Sequence, residues 1–347
     1  MTSVAQISDV TEIKEQTWLQ GIVANQAFWV TVTVILLCIS TALYQETFAT
    51  KNNFYNITRN FSAIGIIAIG MTAVIISGGI DLSVGSVMAL SAIVAARILE
   101  AGGDSHWAIA YVAVFAGLVA GMVVGAVNGA LIAILKLPPF VVTLGMLSIA
   151  RSLAVVTSEN RVIYQFGDQA GDLFKSFGGG RIEMPWIDGS TLPMSNMFVV
   201  LIVMAIAMAL VLHFTAWGRY LFAIGGNEQA ARLSGIPVDR MKIQVYMLAG
   251  LTAAIAGVLT AGYGGSASNG MGKTYELYVI AATVIGGANL MGGKGSVYGA
   301  FIGAALIFLI RNSLIMFGVD ANWYDLFVGL FIILAVLLER LRARTSG

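Results

Sequence analysis

The residue types that catalyse reactions are scarce in this sequence, and those present are scattered. His106 and His213 are the two histidines, and Cys38 is the single cysteine. The lone thiol excludes an internal disulfide bond. No HExxH motif or carboxylate pair is evident, so the pattern predicts neither a metal site nor an acid–base pair. We therefore expect no catalytic, metal-binding or cofactor-binding residue in this chain.

A glycine-rich segment with one lysine, residues 287–295, looks at first like a phosphate-binding loop. That loop needs a glycine five residues before the glycine that precedes the lysine, and serine or threonine directly after the lysine. Ala288 and Gly295 occupy these two positions around Lys294, so both requirements fail. We expect that the chain does not hydrolyse ATP itself, and that an ATP-driven process would need a partner subunit.

Polar side chains within the long apolar stretches are the remaining candidates for chemistry. Such groups are costly in an apolar environment and often mark a binding site or a transport route. An uncharged, hydroxyl-rich solute would need dispersed hydrogen-bonding partners and an occasional aromatic ring. The residues that offer these groups are Asp81, Asn128, Phe140, Thr143, Thr283 and Asn289. Two arginines, Arg151 and Arg311, lie near the ends of apolar runs, where we expect their side chains to extend toward water.

The composition places these residues in a membrane protein. Of the 347 residues, 58% are hydrophobic and 11% are charged, whereas a soluble domain carries roughly 25% charged residues. The net charge of +1 provides no basic field for nucleic acid. About 20 apolar residues in a helix cross the hydrocarbon core of a bilayer. We therefore predict an all-α integral membrane protein surrounded by lipid.

Ten apolar runs have the character of membrane spans. They cover residues 24–44, 61–77, 84–99, 107–135, 139–157, 197–216, 243–262, 277–287, 297–310 and 323–338. The eighth and ninth are short and flanked by glycine, which predicts interrupted helices whose free backbone groups are satisfied inside the bundle. In the fourth run, small residues recur every four positions and predict a face for close helix packing. These residues are Gly117, Gly121, Gly125 and Gly129.

Basic clusters beside the spans indicate the orientation, because cytoplasmic loops carry an excess of lysine and arginine. One cluster follows the last span and the other lies in the loop 217–242; they comprise Arg340, Arg342, Arg344, Arg219, Arg232, Arg240 and Lys242. Ten spans place both clusters on the side of the N-terminus, so we expect both termini in the cytoplasm. Residues 1–22 then form a cytoplasmic tail, 23–339 one transmembrane domain and 340–347 a basic cytoplasmic tail. The loop 158–195 is expected outside, and its role is left open.

Two glycine-rich segments, residues 78–87 and 286–297, resemble each other. Asp81 in the first corresponds to Asn289 in the second, which has two extra residues. Transporters are often built from repeats whose corresponding helices are interrupted near the solute route. The similarity favours a solute route near both segments. The alternative is a chance similarity between two glycine-rich turns.

The loop 217–242 is predicted to contain a short helix. Asn227 is a good N-cap, and Glu228 lies at the positive end of the helix, four residues before Arg232. Gly235 suits a left-handed stop and Pro237 prevents continuation. So short a helix is not stable alone in water. It needs a partner surface, which is either the membrane face of this chain or a cleft on another subunit.

The residues of this loop carry a resemblance to a known family. The sequence Gly-Gly-Asn-Glu-x-Ala-Ala-x-x-Ser-Gly-Ile at 225–236 resembles the coupling loop of ribose-type monosaccharide ABC importer permeases. Three further stretches match the family in order: Ser-Gly-Gly-Ile-Asp-Leu-Ser-Val-Gly at 77–85, Pro-Pro-Phe-Val-Val-Thr-Leu-Gly at 138–145 and Gly-Gly-Lys-Gly at 292–295. The resemblance extends over roughly residues 50–340, most of the predicted membrane domain.

The resemblance implies a permease subunit in the bacterial inner membrane that carries a monosaccharide or similar polyol into the cytoplasm. It implies a second permease copy in a homodimer or pseudo-dimer, and a periplasmic or extracellular sugar-binding protein. It also implies cytoplasmic ABC ATPase subunits, which would bind the ATP and Mg. By the same resemblance, the helix that docks on the ATPase comprises Glu228, Ala230, Ala231, Arg232, Ser234, Gly235 and Ile236.

Other classes of membrane protein remain as alternatives. A secondary transporter driven by an ion gradient would use paired intramembrane carboxylates or ion sites at broken helices, and only Asp81 has the required character. A passive channel would show rings of charge or a carbonyl filter, and neither is evident. Within the ABC permeases, a branched-chain amino acid remains a possible solute.

Overall fold

The computed structural model describes residues 25–102, 106–164, 166–185, 190–330 and 333. Within these ranges the chain forms a helical bundle with one β-hairpin. The elements are α1 (Gln26–Tyr44), α2 (Lys51–Ile76), α3 (Val84–Gly102), α4 (Ala108–Ala133), α5 (Pro139–Thr157), α6 (Gln169–Gly179), β1 (Arg181–Pro185), β2 (Thr191–Ser195), α7 (Asn196–Phe214), α8 (Ala216–Gly226), α9 (Glu228–Leu233), α10 (Val238–Gly264), α11 (Tyr275–Ile285) and α12 (Val297–Met316). A 3-10 turn, Ala321–Trp323, leads into helical residues 324–330.

The all-α membrane architecture is confirmed. In the described ranges, eight helices are long and apolar enough to cross a membrane, namely α1 to α5, α7, α10 and α12. The eighth predicted span is α11, which has only 11 residues and is too short to cross a bilayer alone. The tenth begins after the 3-10 turn, and its remainder lies outside the described residues. The two predicted tails, 1–22 and 340–347, also lie outside them.

Two of the spans begin well before their apolar runs. Helix α2 begins at Lys51 rather than at residue 61, because Thr50 caps it by accepting a hydrogen bond from the backbone N–H of Asn53. Helix α10 begins at Val238 rather than at residue 243. In both helices the first turns are polar, so hydropathy alone locates the buried length of the helix and misses its start.

The small-residue face of α4 packs directly on α10 and α3. A Cβ atom on Gly121 would lie 2.5 Å from the carbonyl oxygen of Gly250, and one on Gly125 would lie 2.2 Å from that of Tyr246. A Cβ atom on Gly129 would lie 2.6 Å from the Cα atom of Ile243. Gly117 lies against α3, and a Cβ atom on Gly117 would lie 2.9 Å from the carbonyl oxygen of Ser91. Backbones that approach this closely leave no room for any side chain larger than hydrogen.

The described residues of the loop 158–195 are folded, which the sequence analysis did not predict. Helix α6 is followed by an antiparallel hairpin in which Arg181 pairs with Ser195 and Pro185 with Thr191. Phe174 of α6 is fully buried and meets the ring of Phe166 edge to face at 5.4 Å. These elements cover one end of the bundle, which we call the hairpin end. The opposite end, which carries α8 and α9, is the α9 end.

Residues 265–274 turn back into the bundle before α11 begins. A Cβ atom on Gly85, at the start of α3, would lie 2.2 Å from the carbonyl oxygen of Gly272. Arg151 of α5 holds this segment, because its guanidinium donates to the carbonyl oxygens of Asn269 and Met271, the latter at 2.8 Å. The expectation that Arg151 extends toward water is therefore wrong. Its positive charge is used to satisfy backbone oxygens that irregular structure leaves without partners.

Candidate functional site

The predicted short helix is present as α9. The side-chain oxygen of Asn227 accepts a hydrogen bond from the backbone N–H of Ala230 at 3.0 Å, which satisfies one free donor of the first turn. The helix ends at Leu233, and Gly235 takes the left-handed conformation at φ +82°. The N–H of Ile236 then bonds the carbonyl oxygen of Ala231 at 3.1 Å. Both ends of α9 are therefore capped as the residue types predict.

A network of ion pairs attaches α9 to the neighbouring elements. Lys242 of α10 lies 2.7 Å from a carboxylate oxygen of Glu228. Arg232 lies 2.8 Å from Asp239 and 3.6 Å from Glu228. Lys136, between α4 and α5, contacts Asp239 at 2.6 Å. The hydrogen bonds that the Arg232 guanidinium donates to the Asp239 carboxylate raise the pKa of Arg232 above its usual value.

One face of α9 is uncovered. Ala231 is buried, and Ile236 is half-buried against the bundle. On the opposite face Leu233 is 91% exposed, the largest value among the exposed hydrophobic side chains of the described residues. Its neighbours Ala230 and Ser234 are exposed as well. The bundle therefore holds α9 from one side, and the opposite face of α9 exposes an apolar side chain at the surface of the α9 end.

The two glycine-rich segments meet at the end of α8. The backbone N–H of Gly293, in the second segment, donates to the carbonyl oxygen of Ile76, the last residue of α2 and two residues before the first segment, at 2.9 Å. The backbone of Gly225 packs directly against this hydrogen bond, because a Cβ atom on Gly225 would lie 1.8 Å from the Ile76 oxygen and 2.4 Å from the Gly293 nitrogen. We call Ile76, Gly225 and Gly293 the glycine junction. Through Gly226 and Asn227, the junction is directly continuous with α9.

A cavity of about 250 Å³ lies between the glycine junction and α9. Its polar lining combines the first glycine-rich segment with the start of α9, and includes Ser77, Gly79, Asn227, Glu228, Lys242 and Tyr246. The hydroxyl of Tyr246 donates to the carbonyl oxygen of Ile80 at 3.3 Å. This cavity borders α9 and the first break, so a movement of α9 would change its shape.

Three of the predicted solute-contacting residues lie around the first break. Asp81 is 1% exposed, and its carboxylate accepts hydrogen bonds from the backbone N–H and hydroxyl of Ser83, at 2.8 and 2.6 Å. The amide of Asn128 donates to the Ser83 hydroxyl at 3.0 Å. Thr143 donates to the carbonyl oxygens of Pro139 at 2.9 Å and Ile80 at 3.4 Å. These side chains fix the backbone of the break and the start of α5.

The other three predicted residues make no hydrogen bond to this network. Thr283 is buried and donates to the carbonyl oxygen of Val279 within α11, at 2.7 Å. Asn289 is exposed and accepts from the N–H of Met291 at 2.9 Å, closing a turn in the second glycine-rich segment. Phe140 is 55% exposed at the start of α5. Of the six predicted residues, Phe140 and Asn289 have exposed side chains.

The sequence analysis did not identify Gly225 or Lys242 as site residues. Gly225 was recognised only as part of a sequence motif, since nothing in the sequence places it against Ile76. Lys242 was recognised only as a basic residue that indicates orientation. Both positions depend on tertiary contacts between segments far apart in the chain.

Known proteins resemble this chain over most of its length. The family described as the permease component of branched-chain amino acid transport systems matches residues 53–337. The ribose import permease protein of Bacillus subtilis (strain 168) is 38% identical over 307 residues, covering 88% of this chain and 90% of that protein. The ribose import permease protein of Escherichia coli (strain K12) is 37% identical over 310 residues, covering 88% and 91%. The fructose import permease protein of Rhizobium meliloti is 36% identical over 284 residues, covering 82% and 76%.

No solved structure matches the chain. The family match includes both glycine-rich segments, the capped helix α9 and the long apolar helices from α2 to α12. The resemblance stated from the sequence motifs is thereby confirmed. This chain is a multi-pass membrane protein that belongs to the family of transport-system permease components.

Proposed function

We propose that this chain is the transmembrane subunit of an ABC importer that moves a monosaccharide or similar polyol into the bacterial cytoplasm. Separate subunits bind ATP and Mg and hydrolyse the ATP. The observation that carries the proposal is the geometry of α9. This capped helix has an uncovered face, and the chain at its N-terminus leads directly into the glycine junction. Relatives named as ribose and fructose import permeases support a sugar as the solute.

In this proposal the α9 end faces the cytoplasm. Four basic residues, Arg219, Arg232, Arg240 and Lys242, lie in the loop at that end, and short cytoplasmic loops are enriched in such residues. The hairpin end then faces outward, where α6 and the hairpin form a folded surface for a solute-binding protein. A second permease copy completes the route, as a homodimer or pseudo-dimer.

The ATPase acts on α9 from the cytoplasm. A cleft on that subunit takes the exposed face with Leu233, while the ion pairs of Glu228 and Arg232 keep α9 rigidly attached to α10. A displacement of α9 is passed through Gly225 to the carbonyl of Ile76 and the N–H of Gly293. Because that hydrogen bond joins the second glycine-rich segment to the end of α2, which leads directly into the first segment, both breaks move together.

The family description and the named relatives point to different solutes. The description refers to branched-chain amino acids, whereas the relatives above carry the names of sugars. A relative that is similar over nearly the whole chain is the more specific guide, so a sugar is the proposed solute and an amino acid is the second candidate.

Photo-cross-linking tests the docking of α9. A photoreactive benzoylphenylalanine at Leu233, in the chain co-expressed with the ATPase of its own transport system, should form an adduct with that ATPase. The matched control is the same replacement at Leu43, which is 79% exposed at the far end of α1. We expect no ATPase adduct at position 43. Absence of an adduct at position 233, or equal yields at both positions, would contradict the docking of α9.

A further inference from the structure

A second cavity lies on the opposite half of the bundle, and no function has been assigned to it so far. Its volume is about 270 Å³, and α2, α11, α12 and the helical residues 324–330 surround it. Aromatic and polar side chains dominate the lining, among them Asn60, Tyr275, Tyr278, Arg311, Tyr324 and Asp325. We call this the aromatic cavity. The sequence analysis selected none of these residues as a solute contact.

The aromatic cavity lies toward the hairpin end. Arg311 precedes the last residue of α12, Met316, by about 7 Å along the helix at 1.5 Å per residue. Asn60 lies in the first half of α2. That helix begins at Lys51, which bonds the hydroxyl of Ser190 beside the hairpin. The cavity is therefore near the outer surface in the proposed orientation, whereas the cavity beside α9 is at the cytoplasmic surface.

The charges of the cavity indicate that it faces water rather than hydrocarbon. Arg311 is exposed, and its guanidinium lies 5.6 Å from the centre of the Tyr324 ring. Within the described part of the chain, no carboxylate lies within ion-pair distance of it. Asp325 is exposed and accepts a hydrogen bond from the Tyr278 hydroxyl. Charged side chains at membrane depth face a water-filled cavity or a polar partner, because hydrocarbon cannot solvate them.

We propose that the aromatic cavity is a solute subsite that binds a neutral monosaccharide ring on its way into the permease. This inference rests on the proposed function. Tyrosine rings offer flat apolar faces for the C–H groups of a sugar, and their hydroxyls offer hydrogen bonds at the edge. The planar fork of Arg311 donates to ring hydroxyls, and the carboxylate of Asp325 accepts from them.

Size and charge restrict the ligand. A cavity of about 270 Å³ lies just below the roughly 300 Å³ at which pockets for drug-sized ligands begin, so it has room for about one ring. One arginine and one aspartate leave the lining without net charge, which disfavours sugar phosphates. A zwitterionic amino acid would satisfy the same two charges. The three tyrosines favour the sugar, because their flat apolar ring faces suit the C–H groups of a sugar ring.

Protection of a single cysteine tests the subsite in the complete transport complex in vesicles. Cys38→Ala removes the native thiol, and Ile315→Cys places one on the cavity wall without altering the polar lining. A membrane-impermeant methanethiosulfonate should label position 315. D-ribose or D-fructose at about ten times its Kd should slow labelling about tenfold, because only the unoccupied fraction reacts. L-leucine should not slow it. The control is Ile206→Cys on α7, which is 57% exposed and should react only with a lipid-soluble maleimide.

Four results would overturn the subsite. In the first two, neither sugar slows the labelling, or L-leucine alone protects position 315. In the other two, position 315 reacts only with the lipid-soluble reagent, or a disulfide forms between the two copies of position 315. ATP-driven sugar uptake is measured in the same vesicles. If uptake persists while sugar protection is absent, the subsite is excluded and the proposed function stands. If sugar protects but uptake does not depend on ATP, the proposed function fails and the subsite stands.

A second variant examines the tyrosine contact directly. Tyr278→Phe removes the hydroxyl that bonds Asp325, and we expect the KM for sugar uptake to rise about two- to tenfold, as loss of one hydrogen bond predicts. Tyr298→Phe makes the same change on α12, outside the cavity, where the hydroxyl bonds Thr31 at 2.7 Å. An equal change in KM for both variants would show that the effect is not specific to the cavity and would count against it.

Discussion

Gly225→Ala should strongly reduce solute transport while the membrane domain remains assembled. The added methyl group would lie 1.8 Å from the Ile76 carbonyl oxygen and 2.4 Å from the Gly293 nitrogen, so the hydrogen bond between them must break. Such overpacking costs about 1–3 kcal/mol. A cost of that size changes a conformational equilibrium by roughly 5- to 150-fold. Since the junction links α9 to the elements that carry both glycine-rich segments, we expect ATP hydrolysis to continue with much less solute movement.

The measurement for Gly225→Ala is the number of solute molecules transported per ATP hydrolysed by the reconstituted complex. Gly226→Ala is the matched control, because a Cβ atom at the next position meets nothing within 4 Å. We expect a transport ratio close to that of the natural chain for Gly226→Ala. A normal ratio for Gly225→Ala would show that the junction does not transmit motion from α9.

Gly125→Ala is expected to destabilise the bundle. Alanine is a better helix former than glycine by about 1 kcal/mol, so local propensity alone predicts a gain. The methyl group, however, would lie 2.2 Å from the Tyr246 carbonyl oxygen and 2.9 Å from the Met247 Cα atom. Helix backbones cannot yield as a flexible side chain can, so α4 and α10 must separate along the face that Gly121 and Gly129 share. We expect a lower apparent Tm and a smaller yield of monodisperse protein.

Thermal unfolding in detergent, followed by size-exclusion chromatography, measures this effect. Gly145→Ala is the control, since Gly145 is exposed on α5 and a Cβ atom there meets nothing within 4 Å. With no close contact, its Tm should stay the same or rise slightly. A Tm for Gly125→Ala equal to that of Gly145→Ala would mean that α4 and α10 do not pack as closely as described.

The features that the sequence predicted well are those controlled by local physics. Long apolar runs predict the spans because a lipid-exposed backbone must be helical. The start and stop of α9 follow from Asn227 and Gly235, whose side-chain and backbone preferences act within a single turn. The four-residue spacing of glycines in α4 also marks one helix face by geometry alone, and that face is the one in contact with α10.

The features that the sequence did not predict depend on contacts between distant segments. Arg151 looks like a side chain that extends toward water, and only the return of residues 265–274 into the bundle provides carbonyl oxygens for it. Likewise α6 and the hairpin lie in a segment that the sequence analysis treated only as a loop, and α6 is fixed by burial of Phe174. Asp81 and Asn128 were predicted from their polarity, yet both are buried and hydrogen-bonded to Ser83 in this conformation. Whether they contact solute in another conformation stays a prediction.

Uptake into proteoliposomes tests the central claim most directly. The chain is reconstituted with and without the ATPase of its system, the solute-binding protein is supplied outside, and ATP is enclosed. D-ribose and D-fructose are the probes, each with and without an uncoupler. We expect uptake of at least one sugar that requires both the ATPase and ATP and is insensitive to the uncoupler. Uptake that is unchanged without the ATPase and collapses with the uncoupler would contradict the account and identify a secondary transporter.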